Sequence, residues 1–343
     1  MPNKNMKVLI AGDWEYDIYE RALFEGFQRL GVSVLKFSFA EYIKHPGSQM
    51  LKTMFFHRDE IEYVNEKLVE YVSSTEPDLV FLQRPVFINK RTIYDIKKKS
   101  GAKLISYHND NPFANIKNKL KNISYIRSLD SYDLNFVYRP SNLKDVKKRT
   151  DKPVEILKPF YVKGLHKKLN VGSKTTDVIF IGHYEKSRNK YCKAVILNDI
   201  NLKVYGPGWR NENGIFEKGK NLFGSVDYKK YSRLLNESKI ALAFLSRMNN
   251  DVYTRRNFEI PATGTFMLSE RTPELQEIFI EGEECDYFSS VEELVDKLEF
   301  YLKNPTTREK IALAGYNKCV RTHNSNLDRV KEIIKVYQKL LEK

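Results

Sequence analysis

The sequence predicts an α/β protein with two doubly wound parallel sheets. Two series of short apolar runs alternate with amphipathic helical patterns, one starting at Lys7 and one at Asp177, and such alternation is typical of parallel sheets with right-handed crossovers. The length of 343 residues suits two domains. Between the series, Pro159–Lys168 is a basic stretch with proline and glycine but no periodicity, which indicates a linker. We therefore expect domains at residues 1–165 and 166–322, and a C-terminal helix at 323–343 that packs back towards the first domain.

The first series begins with strand Lys7–Ala11, which ends at Gly12 and Asp13. A helical pattern then stops at Gly31, and the remaining elements are strands at Val32–Phe39, Pro77–Leu82, Ala102–Tyr107, Tyr132–Tyr138 and Val154–Leu157, and helices at Ile61–Val72, Thr92–Ser100 and Asn142–Arg149. Ligands of open α/β sheets bind at the carboxyl ends of strands, so Gly12 lies where a ligand approaches. The segment from Glu41 to Arg58 has two interpretations, a lid or acceptor loop and ordinary connecting structure.

The second series follows the same plan. Its strands are Asp177–Ile181, Leu202–Tyr205, Ile240–Leu245 and Phe266–Leu268, and its helices pass through Tyr191–Leu197, Tyr228–Asn236, Pro273–Phe279 and Val291–Leu302, with two basic amphipathic helices across Thr307–Leu341. The loop after the first of these strands begins with Gly182 and contains Arg188. A basic loop at a strand end suits a diphosphate.

The stretch DVYTRRNFEIPATGTFMLSE, Asp251 to Glu270, indicates a binding site. Thr254 is a good N-cap for a helix starting at Arg255, which Pro261 limits to about two turns. Paired arginines at a helix N-terminus favour a phosphate, and Glu259 could accept hydrogen bonds from a ribose diol. The alternative is that Glu259 only pairs with the arginines on a solvated face.

A polar cluster follows the strand Ala102–Tyr107 at His108, Asn109 and Asp110. His108 could contact a substrate hydroxyl or a leaving phosphate. The alternative is a loop histidine that is hydrogen-bonded to the turn imposed by Asp110 and Pro112.

Composition and missing motifs exclude several classes of protein. The formal net charge of +14 favours polyanionic or phosphorylated partners, but no zinc-finger spacing or RNA-binding aromatic motif occurs, so we expect no nucleic-acid partner. The sequence contains neither a P-loop nor the dinucleotide fingerprint G-x-G-x-x-G, which disfavours kinases and nicotinamide enzymes. Without paired aspartates in the polar cluster we expect no metal. No signal peptide or spanning segment is apparent, and three cysteines without metal spacing indicate free thiols in the cytoplasm.

The combination of these motifs resembles one family. The run RRNFEIPATGTFML with the residues after it, GAKLISYHNDNPF in the first half, and DVIFIGHY and LKVYGPGW in the second occur in the order found in CgeB-like (spore-maturation-type) group 1 glycosyltransferases. The resemblance covers nearly the whole chain. It implies the GT-B fold, two Rossmann-like domains facing a central cleft with the donor held mainly by the second, and a relationship to retaining family 4 glycosyltransferases.

The resemblance also implies roles for individual residues. Glu259 matches the glutamate that holds the donor ribose, and Asp251 matches, one methylene shorter, the glutamate that meets the sugar and phosphate. Trp209 is a candidate for the base pocket, with a turn aromatic packed on its own domain as the alternative. The expected groups are catalytic His108, Asp110 and Asp251; diphosphate-binding Gly182, Arg188, Thr254 and Arg255; base-binding Tyr205, Trp209 and Val226; and acceptor-side Gly12 and Asp13.

The expected function is transfer of a sugar from a nucleoside diphosphate donor to a hydroxyl of a glycan, glycolipid or protein. By resemblance the reaction proceeds with retention, without metal or cofactor. The basic C-terminal helices and the Lys44–Arg58 region are compatible with peripheral contact to an anionic membrane. Two alternatives stay open: a non-hydrolysing nucleotide-sugar epimerase, and a basic nucleic-acid- or membrane-binding module without catalysis.

Overall fold

The computed structural model describes residues 6–43, 58–212 and 214–342. The chain divides into two compact units, Met1–Lys158 with Asn326–Lys343, and Pro159–Ser325. Sequence analysis placed the corresponding boundaries after residues 165 and 322. The central part of the Glu41–Arg58 segment lies outside the described residues.

The first unit contains a six-stranded parallel sheet. In chain order its strands are β1 Lys7–Gly12, β2 Ser33–Ser38, β3 Leu79–Gln83, β4 Lys103–His108, β5 Leu134–Val137 and β6 Val154–Ile156, and their spatial order is β2-β1-β3-β4-β5-β6. β1 pairs in parallel with both β2 and β3. The strand order therefore reverses at β1, and the point between the ends of β1 and β3 is where a doubly wound sheet binds ligands.

The helices of this unit pack on both faces of the sheet, which is why its central strands are continuous apolar runs. They are α1 Ala22–Arg29, preceded by a π-helical turn at Asp17–Arg21, α2 Arg58–Thr75, α3 Lys90–Ser100, α4 Ile116–Lys121, α5 Ile123–Ser128 and α6 Pro140–Lys147. Gly101 ends α3 in the left-handed conformation, with φ at 67°. Sequence analysis did not predict α4 and α5, which contain no long apolar stripe.

The second unit repeats the plan. Its strands are β7 Thr176–Ile181, β8 Leu202–Tyr205, β9 Leu222–Phe223, β10 Ser238–Ala243, β11 Phe266–Glu270 and β12 Asp286–Phe288, in the order β12-β11-β10-β7-β8-β9. Its helices are α7 Lys186–Leu197, α8 Tyr228–Asn236, α9 Arg256–Ala262, α10 Pro273–Gln276, α11 Val291–Lys303 and α12 Pro305–Arg321. The order reverses between β7 and β10, so the loops after these two strands meet at the ligand-binding edge. The predicted α/β class with two parallel sheets is confirmed.

The chain ends with helix α13, Asn326–Leu341, which belongs to the first unit. The Asn326 side-chain amide donates to the carbonyl of Ala22 at 2.7 Å, and Arg329 Nε donates to the carbonyl of Lys158 at 2.8 Å. Val330 packs so closely against Gly26 of α1 that a Cβ there would lie 2.8 Å from its methyl group. These contacts hold α13 against α1 and the Lys158 carbonyl.

Candidate functional site

Helix α9 begins with a reciprocal cap. Thr254 Oγ1 accepts a hydrogen bond from the backbone N–H of Arg256 at 3.1 Å, and the Asn257 side chain accepts one from the Thr254 N–H at 2.8 Å. This arrangement satisfies donors that a first helical turn leaves unpaired. Pro261 lies inside the helix, and Gly264 follows it with φ at 73°. The cap and the short helix therefore form as sequence analysis predicted, with Arg255 at the turn before the first helical residue.

Arg255 points into the interior of the second unit. Its Nε donates to Glu259 Oε1 at 3.0 Å, and its guanidinium lies 4.6 Å from the centre of the Phe160 ring. Glu259 Oε2 accepts from the Tyr231 hydroxyl at 2.8 Å, and His166 Nε2 lies 3.9 Å from Oε1. The pairing of Glu259 with an arginine thus exists, but Glu259 is only 5% exposed, so the solvated face considered above is wrong.

Glu259 is an ionised buried carboxylate. Burial opposes its ionisation, but the charge of Arg255, together with His166 and the Tyr231 hydroxyl, outweighs burial and holds its pKa below the usual value. Burial in turn lowers the pKa of His166 to about 4, which keeps that ring neutral. His166 Nδ1 accepts from the Val162 N–H at 2.9 Å, so its proton is on Nε2, directed at Glu259.

Arg256, unlike Arg255, does not point into the interior but lies at the end of β7. Its Nε donates to the Ile181 carbonyl at 2.6 Å, and its guanidinium lies 5.5 Å from the centre of the Phe180 ring. A Cβ on Gly182 would lie only 2.5 Å from Arg256 Nη2, so the absence of a side chain at Gly182 leaves room for this guanidinium. Sequence analysis singled out Arg255 for the phosphate, whereas Arg256 is the arginine placed at the strand end.

Arg188 lies at the same edge. It is buried, its Nη2 is 2.7 Å from Glu185 Oε1, and its Nη1 donates to the His183 carbonyl at 3.0 Å. Burial and the neighbouring charge of Arg256 lower the pKa of Arg188 to about 10, against the opposing effect of Glu185. Burial and the same two arginines also lower the pKa of His183. The edge of β7 therefore brings two guanidiniums together, with the carboxylates of Glu185, Asp251 and Glu270 near enough to act on Arg188.

The loop after β10 is held by carboxylates. The Asp251 N–H donates to the Ser246 carbonyl at 3.0 Å, and the Ser246 N–H lies 3.4 Å from an Asp251 carboxylate oxygen. Glu270 accepts from the Leu245 N–H at 2.6 Å and from Arg247 at 2.5 Å. The Arg247 N–H donates to Glu185 Oε2 at 3.1 Å, so one carboxylate connects this loop to Arg188.

Sequence analysis missed Glu185, Arg247 and Glu270. The signals available were weak: Glu185 stands three residues before Arg188, and Glu270 ends an apolar strand run at the expected ligand edge. Oppositely charged residues three positions apart are common on solvated surfaces. They indicate a site here only because the structure brings the loop after β7 and the loop after β10 together.

The three candidates for the base pocket differ in their surroundings. Trp209 belongs to the hydrophobic core, and its indole N–H donates to the Gly182 carbonyl at 2.8 Å. It is therefore the packed turn aromatic that sequence analysis left open. Tyr205 is buried and stacks on Phe223, with ring centres 4.6 Å apart, while Val226 is partly exposed beyond β9.

In the first unit His108 is enclosed at the end of β4. Its Nε2 lies 2.7 Å from the Asn122 side-chain oxygen, its Nδ1 lies 3.2 Å from the Asp110 carbonyl, and its ring packs on Tyr125 at 4.9 Å. Burial lowers the pKa of His108 to about 4, so the ring is neutral. Both nitrogens face an oxygen, and a neutral ring has a single N–H, so it donates to only one of the two. The contact with the Asp110 carbonyl is the one that the loop-histidine interpretation requires.

Arg84 brings the two carboxylates of this edge together. Its Nη1 lies 3.5 Å from Asp13 and its Nε 3.5 Å from Asp110, and its backbone is left-handed, with φ at 49°. Burial raises the pKa of Asp13 despite this arginine, whereas at Asp110, which is only partly buried, the charge of Arg84 outweighs desolvation and lowers the pKa. Sequence analysis did not identify Arg84, although it directly follows a buried strand.

Glu20 lies beneath Asp13. Its Oε1 accepts from the Asp13 N–H at 3.3 Å, and the same oxygen occupies the space that a Cβ on Gly12 would need. Burial raises the pKa of Glu20 to about 7. Residue 12 is therefore a glycine because Glu20 fills the space of a side chain, in addition to its position at the sheet edge.

Within residues 6–43, 58–212 and 214–342, no group of three or more His, Cys, Asp or Glu side chains is arranged to hold a metal ion. In the same ranges, no helix has the length and apolarity needed to cross a membrane. Cys192, Cys285 and Cys319 are buried thiols outside any disulfide, in agreement with the prediction.

Comparison with known proteins agrees with the geometry of the second unit. Residues 188–335 match the family model described as "Glycosyl transferase-like". A search of curated protein sequences finds no match. The chain is a glycosyltransferase, which confirms the predicted enzyme class.

Solved structures show the fold. The chain resembles sucrose-phosphate synthase from Thermosynechococcus elongatus with a TM-score of 0.71 and 11% identity, over 98% of this chain and 100% of that one. Anabaena HepE, solved in complex with UDP and glucose, gives a TM-score of 0.66 and 9% identity over the same shares. A putative UDP-N-acetylglucosamine 2-epimerase from Listeria monocytogenes gives 0.61 and 11% over 98% and 97%. The predicted GT-B fold is confirmed.

Proposed function

We propose that this glycosyltransferase uses a nucleoside diphosphate sugar, and that the diphosphate binds at the carboxyl ends of β7 and β10. The observation that carries the proposal is that Arg188 and Arg256 lie together at the end of β7, Arg256 beside Gly182 and Arg188 on the His183 carbonyl. The two guanidiniums are close enough for Arg256 to lower the pKa of Arg188; Arg188 forms an ion pair with Glu185, whereas Arg256 Nε donates to the Ile181 carbonyl. A diphosphate would accept charge-assisted hydrogen bonds from these guanidiniums.

The same two arginines supply the chemistry of the proposed transfer. Negative charge grows on the diphosphate as the bond to the sugar breaks, and fixed cations beside it stabilise that charge without reorganisation. The backbone N–H groups at the Thr254 cap add to the positive potential. Metal independence is part of the proposal, because the arginines provide the charge that a metal would otherwise supply.

We assign Glu259 to the donor ribose. Each carboxylate oxygen accepts one protein hydrogen bond, which leaves a second acceptor site on each for a ribose hydroxyl. Tyr205 and Val226 are proposed for the base, and Asp251 for the sugar. HepE was solved with UDP and glucose, so a uridine diphosphate sugar is the first donor to test.

On the first unit we propose an acceptor site at Gly12, Asp13 and Asp110. Asp110 is 38% exposed, and its low pKa keeps it ionised, so it can accept a hydrogen bond from an acceptor hydroxyl. His108 is buried against the Asp110 turn and is proposed to position it.

The finer parts of the proposal rest on the family resemblance. They are a CgeB-like subgroup, retention of anomeric configuration without a protein nucleophile, a cytoplasmic location with peripheral membrane contact, and an acceptor that is a glycan, glycolipid or protein. Retention is tested by following the product anomeric proton by NMR during the first turnovers.

A donor screen tests the central proposal. Uridine, guanosine and adenosine diphosphate sugars are incubated with and without acceptors, and free nucleoside diphosphate is quantified. We expect acceptor-dependent release from one donor class. Conversion of a nucleotide sugar without an acceptor and without such release would indicate the epimerase.

Calorimetric titration with free nucleotides tests the site itself. We expect UDP or another nucleoside diphosphate to bind, and Glu259→Ala to weaken binding at least ten-fold. Absence of binding by every diphosphate would overturn the proposed donor site, and undiminished binding in Glu259→Ala would overturn the ribose assignment.

A further inference from the structure

Helix α4 is unusual among the elements of the first unit because none of its residues is buried. Ile116 is 72% exposed and Leu120 is 48% exposed. They are four positions apart, which places them on one side of the helix. Lys117, Lys119 and Lys121 fill the positions between and after them.

Helix α6, which also carries exposed lysines, contacts the loop that leads into α4. The Asn142 side chain of α6 donates to the Asn111 side chain, in the loop before α4, at 2.8 Å. At the other end of α6 the Arg149 guanidinium lies 4.7 Å from the centre of the Phe113 ring. We call residues 115–128 and 140–149 the α4–α6 surface.

The α4–α6 surface carries half of the excess charge of the protein. It contains eight lysines and arginines and one aspartate, a formal charge of +7 against +14 for the whole chain. Lys117, Lys119, Lys144, Lys147 and Lys148 are exposed.

We propose that the α4–α6 surface binds an anionic lipid bilayer, with Ile116 and Leu120 inserted between headgroups. Exposed aliphatic side chains between lysines suit an interface that is anionic at its surface and apolar a few ångströms deeper. A nucleic acid would match the charge but would leave both aliphatic side chains without a partner. A bilayer satisfies both features of the surface.

The position of α4 connects this surface to the acceptor edge. Lys121 is near enough to Asp110 and Asp13 for its charge to act on the pKa of both carboxyls. Bilayer binding would bring these carboxylates towards hydroxyls of membrane components. The link to the acceptor edge rests on the proposed function, and the α4–α6 surface gives the peripheral membrane contact proposed above a location. Bilayer binding by this surface is argued separately, from its lysines and its exposed aliphatic side chains.

Vesicle flotation of the full chain tests the proposal. The probes are vesicles of phosphatidylcholine with and without about 30% phosphatidylglycerol, at low and high salt. We expect binding only to the anionic vesicles, weakened by salt because of screening. Failure to bind anionic vesicles at low salt would overturn the proposal, while UDP titration of the same sample reports separately on the donor site.

Two pairs of variants separate insertion from charge. Ile116→Ser/Leu120→Ser keeps every charge and should weaken vesicle partitioning at least ten-fold. Lys117→Gln/Lys119→Gln should weaken it about 30-fold, since each basic residue near the surface contributes about five-fold. The matched controls are Leu197→Ser/Ile280→Ser and Lys229→Gln/Lys230→Gln, exposed residues of the second unit, which should bind vesicles like the unmodified chain.

Two results would contradict bilayer insertion. One is equal loss of partitioning in the control variants. The other is full partitioning of Ile116→Ser/Leu120→Ser with loss only in the lysine variants, which would indicate a surface for soluble polyanions such as nucleic acid. Circular dichroism and UDP titration of each variant confirm that the chain is folded.

Discussion

The two adjacent arginines of α9 provide a matched pair of perturbations. Arg255 is buried against Glu259, whereas Arg256 is half-buried at the end of β7. Arg255→Gln and Arg256→Gln remove the same charge one residue apart. We expect the first to reduce the stability of the second unit and the second to reduce donor affinity.

The expected magnitudes follow from burial. Removing Arg255 leaves the Glu259 carboxylate with only the Tyr231 hydroxyl and His166, and breaking a buried ion pair costs about 3–5 kcal/mol. For a unit of this size that corresponds to a fall in melting temperature of roughly 10 °C. Removing Arg256 deletes a charge-assisted bond to the proposed diphosphate, worth about 1.5–3 kcal/mol, or a 10- to 150-fold loss of UDP affinity.

Thermal unfolding and calorimetric titration with UDP measure the two effects separately. Arg255→Gln/Glu259→Gln is the control, because it removes both charges and should be less destabilised than Arg255→Gln alone. If Arg255→Gln instead weakened UDP binding as strongly as Arg256→Gln and left the melting temperature unchanged, the assignment of the two side chains would be wrong.

Three further predictions concern single residues. Burial raises the pKa of Glu20 from 4.5 to about 7, so the folded chain keeps this proton to a higher pH than the unfolded chain does. The free energy of unfolding should therefore fall by about 3 kcal/mol between pH 4.5 and 7, and Glu20→Gln should remove this fall from the pH dependence of the denaturant midpoint. Gly182→Ala should displace Arg256 and lower UDP affinity about ten-fold, with little change in the circular dichroism spectrum. Trp209→Phe removes the hydrogen bond to the Gly182 carbonyl and should lower the free energy of unfolding by about 1–3 kcal/mol without abolishing donor binding.

Most of the fold could be predicted from the sequence because buried parallel strands are short, continuous apolar runs. The run DVIFI predicts β7, and the mixed pattern before Gly101 predicts α3. Sequence analysis missed helices α4 and α5 and the two-residue strand β9, because none of them contains a long apolar run. The sequence NIKNKLKN has no apolar stripe wide enough to indicate packing, and the structure shows that α4 buries none of its residues.

The candidate site was predictable as a region but not side chain by side chain. Successive residues on a helix point about 100° apart, so RRNFE cannot reveal which arginine faces the interior. That choice depends on Phe160, Tyr231 and His166, which form the cavity around Arg255 and Glu259 from distant parts of the chain. With that cavity filled by Arg255, the next residue is left at the strand end, where Gly182 has no side chain to exclude it. The donor-site arginine is therefore selected by the packing of its neighbour, and the Arg255→Gln and Arg256→Gln pair tests that dependence directly.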